Sequence, residues 1–136
     1  MENKLSKAIF EDNVDLVNNL ISDGADINCL DELGMTPLLH AVESENIRLI
    51  ELLVGLGASI NKKGHEGFTP LHLAVDVSID GTIQTGGKPG DEPLAIISFL
   101  ISHGADITSK TDKGDTPIDI AKAYRANKVI EYLNEA

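Results

Sequence analysis

The stretch of sequence that decides the fold is GFTPLHLAV, from Gly67 to Val75. Thr69 is predicted to cap a helix that begins at Pro70, because a threonine hydroxyl satisfies an unpaired amide of the first turn and proline has no such amide to satisfy. Leu71 and Ala74 then fall on one face at helical spacing, and the small Ala74 permits a close neighbour. The stretch therefore predicts a helix with a defined start and a buried face.

Weaker copies of the same stretch read GMTPLLHAV from residue 34 and GDTPIDIAK from residue 114. Thr36 and Thr69 lie 33 residues apart, and Thr69 and Thr116 lie 47 apart. A second marker shows the same two intervals: GADIN from residue 24, GASIN from residue 57 and GADIT from residue 104. Because two independent markers agree, the chain is predicted to be a repeat with a period of 33 residues and one insertion of 14.

Each unit is predicted to hold a pair of helices within one domain spanning residues 1–136. The expected units are residues 3–30, 31–63, 64–110 and 111–136, with the insertion at about 77–90. Asn13 and Asn46 occupy equivalent places as caps of second helices. Gly24 is expected to end the second helix of the first unit, in the left-handed conformation that glycine adopts most easily.

The insertion interrupts the third unit after Val75. Residues 77–84 alternate apolar and polar around Asp80-Gly81, which predicts a short hairpin. The following TGGKPG segment is expected to be irregular, and helical patterning is expected to resume at Asp91. Two interpretations of the insertion stay open: a passive surface loop, or a second contact surface.

Composition limits the classes of partner. Eleven basic and 22 acidic residues give a formal net charge of -11, which disfavours binding to nucleic acid or to a membrane surface and favours a partner with a basic surface. Cys29 is the single cysteine, so a reducing compartment is expected. Without an apolar run long enough to span a bilayer or to form a signal peptide, we expect a cytoplasmic protein that is a monomer.

No pattern for catalysis or for a cofactor is found. Gly81 to Lys88 only partly resembles a phosphate-binding loop, since Lys88 is followed by Pro89 where a hydroxyl is required. The four histidines are unevenly spaced and do not form the converging set that zinc needs. We therefore expect a protein that is not an enzyme and that uses neither a cofactor nor a metal.

With its 33-residue period, TPLH elements and GAD turns, the chain resembles the ankyrin-repeat family. The resemblance implies an all-α solenoid of four stacked antiparallel helix pairs with turn-like fingers at one edge. His72 matches the histidine with which the family ties adjacent turns together. The equivalent positions hold Leu39, with His40 one place later, and Asp119, which is expected to accept the same amides as a carboxylate.

The resemblance also implies a binding surface made by the fingers and the first helix of each pair. Positions of this sequence that map there, and that we predict to contact a partner, are Phe10, Glu32, Leu33, Met35, Glu43, His65, Glu66, Phe68, Asp76, Val77, Asp112, Asp115 and Tyr124. Aromatic anchors among carboxylates are typical of an interface. The alternative is that Phe10 and Tyr124 cover the ends of the stack and Phe68 packs on a neighbouring finger.

The predicted function is a protein-protein interaction module with an acidic concave face. One alternative is an immunity or antitoxin-like inhibitor of a basic bacterial enzyme, for which charge would steer association. A second alternative is a structural or assembly adaptor with two partners. Salt dependence of binding would separate a basic target from an apolar adaptor contact.

Overall fold

The computed structural model of the protein describes residues 4–84 and 94–135, the side chains of 79–84 excepted. These residues form α-helices and one 3₁₀ turn, His65–Gly67, and contain no strand. The α-helices are α1 (Lys4–Phe10), α2 (Val14–Ser22), α3 (Pro37–Glu43), α4 (Ile47–Gly55), α5 (Pro70–Gln84), α6 (Ala95–Ser102), α7 (Pro117–Ala123) and α8 (Asn127–Glu135).

The helices form a stack of four pairs. The first helices α1, α3, α5 and α7 pack against one another in chain order, and each also packs against the second helix of its own pair. The core runs along the stack through residues such as Ile9, Val42, Val75 and Ala121, which have almost no exposed surface. The predicted all-α solenoid is confirmed.

Threonine caps begin the first helices of the last three pairs, as predicted. The Thr36 hydroxyl accepts the amide of Leu39 at 3.1 Å, and the Thr69 hydroxyl accepts that of His72 at 3.3 Å. A proline fills the first turn in each case, at 37, 70 and 117. The second helices α2 and α4 begin at side-chain caps from Asn13 and Asn46, which is also confirmed.

The repeated GAD-type turns end the second helices and join successive units. Gly24 has a φ of 102°, as its predicted role requires. The asparagine that follows the turn accepts an amide from the next unit: Asn28 from Ser59 at 2.7 Å, and Asn61 from Asp106 at 2.8 Å. These bonds hold neighbouring turns at a fixed spacing.

The hairpin predicted over residues 77–84 is wrong, because α5 continues through them to Gln84. Val75 and Ser78 are both buried, and Val77 packs against the core, so tertiary packing supports the helix through residue 78. A glycine inside a helix costs only about 1 kcal/mol relative to alanine. Gly81 alone therefore does not end α5. The TGGKPG segment and the start signals at Asp91 lie outside the described residues.

The extension of α5 distinguishes the third unit from the others. It contains 15 residues, whereas α1, α3 and α7 contain seven each. The next described helix, α6, begins at Ala95 with Leu94 in the capping position and without a side-chain cap. Among the described ranges, no helix is both long and apolar enough to cross a membrane.

Candidate protein-binding groove

Three loops, which we call the second, third and fourth fingers after their units, precede α3, α5 and α7 and span residues 29–36, 62–69 and 109–116. The carbonyl of Gly34 accepts the amide of His65 at 2.7 Å, and the carbonyl of Glu66 accepts the amide of Asp112 at 3.0 Å. The fingers are therefore joined edge to edge by backbone bonds.

The second finger is organised by Asp31. Its Oδ1 accepts the amides of Leu33 at 2.9 Å and Met35 at 3.0 Å, and its Oδ2 lies 2.5 Å from His40 Nε2. Burial raises the pKa of Asp31, but the hydrogen bonds from His40 and from these two amides outweigh burial and leave the pKa lowered. The carboxylate thus holds Met35 and Leu33 in place on the finger.

The third unit is tied to the fourth by His72, as predicted. Its Nδ1 lies 2.8 Å from the Thr69 hydroxyl and its Nε2 lies 2.9 Å from the carbonyl of Asp115. Burial is the largest influence on the pKa of His72 and lowers it. In the fourth unit the Asp119 carboxylate accepts the amide of Thr116 at 2.9 Å, which confirms its predicted role.

A groove of about 220 Å³ lies where the second and third fingers meet α3 and α5. Leu39 and Leu73 contribute apolar surface, and Met35 and Phe68 lie on the two fingers. The remaining lining residues are Glu43, His65, Glu66 and Asp76. We call this feature the Phe68 groove.

Six of the predicted contact residues are brought together in this groove: Met35, Glu43, His65, Glu66, Phe68 and Asp76. Sequence reasoning missed Leu39 and Leu73. The available signal was Leu39 itself, an apolar residue at a position where His72 and Asp119 are polar. Its near-complete burial shows that it serves the scaffold as well as the groove.

The other predicted contact residues lie outside the groove. Phe10 is 81% exposed, Leu33 69% and Tyr124 51%. Phe10 ends α1 as Glu43 ends α3, so it lies one unit along the same row of the stack. Glu32, Asp112 and Asp115 are exposed on the fingers, whereas Val77 is half-buried against the core.

A second cleft of about 440 Å³ lies at the turn between α1 and α2. Its lining contains Glu11, Asp12 and Asp15 together with Arg48. The Asp12 carboxylate accepts a hydrogen bond of 2.8 Å from the Asn46 side chain. Within residues 4–84 and 94–135, no group of three or more histidine, cysteine or acidic side chains could hold a metal ion.

This geometry defines the class of protein as a helical-repeat solenoid with a fingered edge. A sequence model for ankyrin repeats in three copies matches residues 5–83, and a model for a single ankyrin repeat matches residues 66–112. The chain belongs to the ankyrin-repeat family. A sequence search among curated proteins found no match.

Comparison with solved structures supports the same assignment. The chain is similar to a crystal structure described as that of the ankyrin repeat domain of Bcl-3, a unique member of the IkappaB protein family, with a TM-score of 0.77 and 31% sequence identity. The match covers 96% of this chain and 50% of that chain. The chain thus spans half the length of that solved chain, and ankyrin repeats generally mediate protein-protein interaction.

Proposed function

We propose that this protein binds a partner protein with a basic surface, using the concave face formed by its fingers and first helices. The Phe68 groove is the observation that carries the proposal. It is a small depression with apolar walls and carboxylates beside them, which is the composition of an interface anchor site. The alternative of an enzyme has no comparable support from the described residues.

Charge favours a basic partner. Among the residues that the structure describes, the lining of the groove contains three carboxylates and one histidine, and neither lysine nor arginine. The whole chain carries a formal net charge of -11. A surface of this sign accelerates the approach of a basic protein and disfavours acidic competitors.

Exposed apolar side chains extend the proposed surface beyond the groove. Phe10 is almost fully exposed and lies in the same row as Glu43, one unit earlier. Leu33 projects from the second finger beside Met35 and is also largely exposed. Scattered exposed apolar residues are ordinary, but large ones that share one face with a groove are typical of a docking surface.

The proposal is tested by capture of cross-linked partners from the native source. The wild-type chain is compared with a Met35→Ala/Phe68→Ala variant and with a Leu16→Ala/Leu56→Ala control, which removes exposed apolar surface from α2 and from the end of α4. We expect proteins captured by both the wild type and the control to be lost from the groove variant. Equal capture by all three chains, with thermal unfolding unchanged, would contradict the proposal.

The salt dependence of the binding affinity tests whether the partner surface is positively charged. Exposed charges separated by more than a Debye length, about 8 Å at physiological ionic strength, are largely screened. Affinity for a basic partner should therefore fall steeply as salt is raised. An affinity that is unchanged by salt would instead favour an adaptor that uses apolar contacts.

A further inference from the structure

The Phe68 groove combines two kinds of surface that one side chain can satisfy together. Met35 and Phe68 offer apolar and aromatic area, and Glu43, Glu66 and Asp76 offer negative charge beside it. A purely apolar occupant would remove water from the exposed carboxylates of Glu43 and Glu66 without supplying a positive charge in exchange, which is costly. A short cationic side chain would leave the apolar walls unfilled.

We infer that the groove binds one arginine side chain of the partner, with its methylene stem against Met35 and Phe68 and its guanidinium at the carboxylates. The inference rests on the proposed function, since it names the chemistry that anchors the partner there. It assigns the specificity of the site to a single long cation. The rest of the concave face then supplies complementarity around that anchor.

Size supports a single side chain. A volume of about 220 Å³ is below the roughly 300–1,000 Å³ of pockets that enclose drug-sized ligands. The groove is also open at its rim, because Glu43 and Glu66 are both exposed. It can therefore be entered by a residue that projects from a protein surface.

Arginine fits the chemistry better than lysine. A planar guanidinium stacks on an aromatic ring and forms two parallel bonds with a carboxylate, whereas an ammonium group is a compact and strongly hydrated charge. The Phe68 ring is half-buried and lies 5.7 Å from the His72 ring, measured between centroids. A ring held in this way provides a fixed surface for stacking.

The local histidine does not compete strongly with an incoming cation. His65 Nε2 lies 3.6 Å from Glu66 Oε1, and the two side chains are 68% and 56% exposed. Contacts between side chains as exposed as these contribute little to stability. Displacing His65 from Glu66 therefore opposes the entry of a guanidinium only weakly.

The test uses three blocked pentapeptides, Gly-Ser-Xaa-Ser-Gly, in which Xaa is arginine, lysine or norleucine. Each is titrated into the ¹⁵N-labelled chain, and amide shifts are followed by NMR. We expect saturable shifts at Met35, Phe68 and their neighbours, with the arginine peptide binding about threefold more tightly than the lysine peptide. The norleucine peptide should bind weakest.

Charge-neutral variants locate the interaction. Glu43→Gln/Glu66→Gln should weaken binding of the arginine peptide about fivefold, since two exposed pairs are lost. Glu51→Gln removes one exposed charge from α4, outside the groove, and should leave the affinity unchanged. Shifts that map elsewhere, or equal affinities for the arginine and norleucine peptides, would overturn the inference.

Failure of this inference is distinguishable from failure of the proposed function. If Met35→Ala/Phe68→Ala loses the captured partner while the arginine peptide does not bind the groove, the interface stands and only its arginine anchor is wrong. If that variant retains the partner, the proposed interface fails, and the arginine anchor fails with it.

Discussion

Leu39 packs against the backbone of Gly64, where the second unit meets the third. A Cβ atom built on Gly64 would overlap the Leu39 Cδ1 atom and would lie 2.6 Å from the carbonyl oxygen of Gly34. The equivalent junction of the third and fourth units instead uses His72, bonded to the carbonyl of Asp115 at 2.9 Å. One position of the repeat thus joins units by apolar packing in one place and by a hydrogen bond in another.

Replacing Gly64 with alanine is expected to lower the free energy of unfolding by about 1–3 kcal/mol, because the added methyl group has no space in this junction. Gly64 has a φ of -110°, so the expected cost is steric and does not come from a left-handed backbone. Urea unfolding measures the change.

Two comparisons make the Gly64 result specific. Gly55→Ala, at the end of α4 with open space around it, should be neutral or stabilising by up to about 1 kcal/mol. In a Leu39→Ala background, the cost of Gly64→Ala should shrink, since one of its two overlaps is gone. Strict additivity of the two changes would contradict direct packing between these residues.

Glu45→Gly is expected to stabilise the protein. Glu45 has a φ of 55°, and Asp12 and Arg125 adopt the same left-handed conformation at equivalent turns between first and second helices. A side chain in this conformation costs roughly 1 kcal/mol relative to glycine. We therefore expect a gain of about that size in the free energy of unfolding.

The control for Glu45 is Glu51→Gly, which removes the same side chain from within α4. A glycine inside a helix should destabilise by about 1 kcal/mol relative to alanine, and glutamate is close to alanine in helix propensity. Opposite signs for the two variants would support the backbone explanation. Destabilisation by both would refute it.

Local chemistry explains which parts of the fold could be predicted from sequence. The caps at Thr36 and Asn13 were predictable because the donors lie within three residues of the acceptor. The continuation of α5 was not, because Val77 packs against a core to which distant parts of the chain contribute, and local alternation does not reveal such contacts. The pairing of His40 with Asp31 links a helix to a finger, and no short sequence motif predicts it.

The lining of the Phe68 groove likewise contains some residues that could be predicted from the sequence and others that could not. Its carboxylates were predictable from their places in the repeat, since Glu43, Glu66 and Asp76 occupy positions that the family resemblance assigned to a binding surface. Leu39 was not, because the same position holds a polar side chain in the next unit, His72. Only the structure shows that its side chain reaches the groove while remaining buried.

Acidification below pH 6.5 is expected to destabilise the protein through His72. Burial lowers the pKa of His72 in the folded state below its usual 6.5, so the unfolded chain binds a proton first and unfolding is favoured as pH falls. The contribution of His72 to the free energy of unfolding is therefore fully present above pH 6.5, and it is lost as the pH falls toward the pKa of His72 in the folded state. Asp31 acts in a separate window, because its lowered pKa places its loss of stability below pH 3.8.

The measurement is the free energy of unfolding between pH 7.5 and pH 5. In His72→Gln, the slope against pH should be shallower than in the wild type, by at most about 1.4 kcal/mol per pH unit for one proton. Leu16→Ala, which changes an exposed side chain without a titratable group, should keep the slope of the wild type. Equal slopes in all three proteins would show that His72 does not titrate in this way.

Phe10→Ala is expected to leave the stability of the fold almost unchanged, so that its effect on partner binding can be measured by itself. The Phe10 side chain is 81% exposed, whereas that of its neighbour Ile9 is 2% exposed. Removing the Phe10 ring should change the free energy of unfolding by less than about 0.5 kcal/mol. Ile9→Ala should cost about 2–5 kcal/mol, as expected for a large aliphatic side chain in a core.

Urea unfolding of both variants, followed by partner capture with Phe10→Ala, decides between the two interpretations of this residue. If Phe10 belongs to the concave face, Phe10→Ala should keep the stability of the wild type and lose part of its partner binding. If Phe10 instead covers the end of the stack, the same variant should unfold at lower urea and retain the partner when folded. The second outcome would remove Phe10 from the interface and confine the proposed anchor to the Phe68 groove.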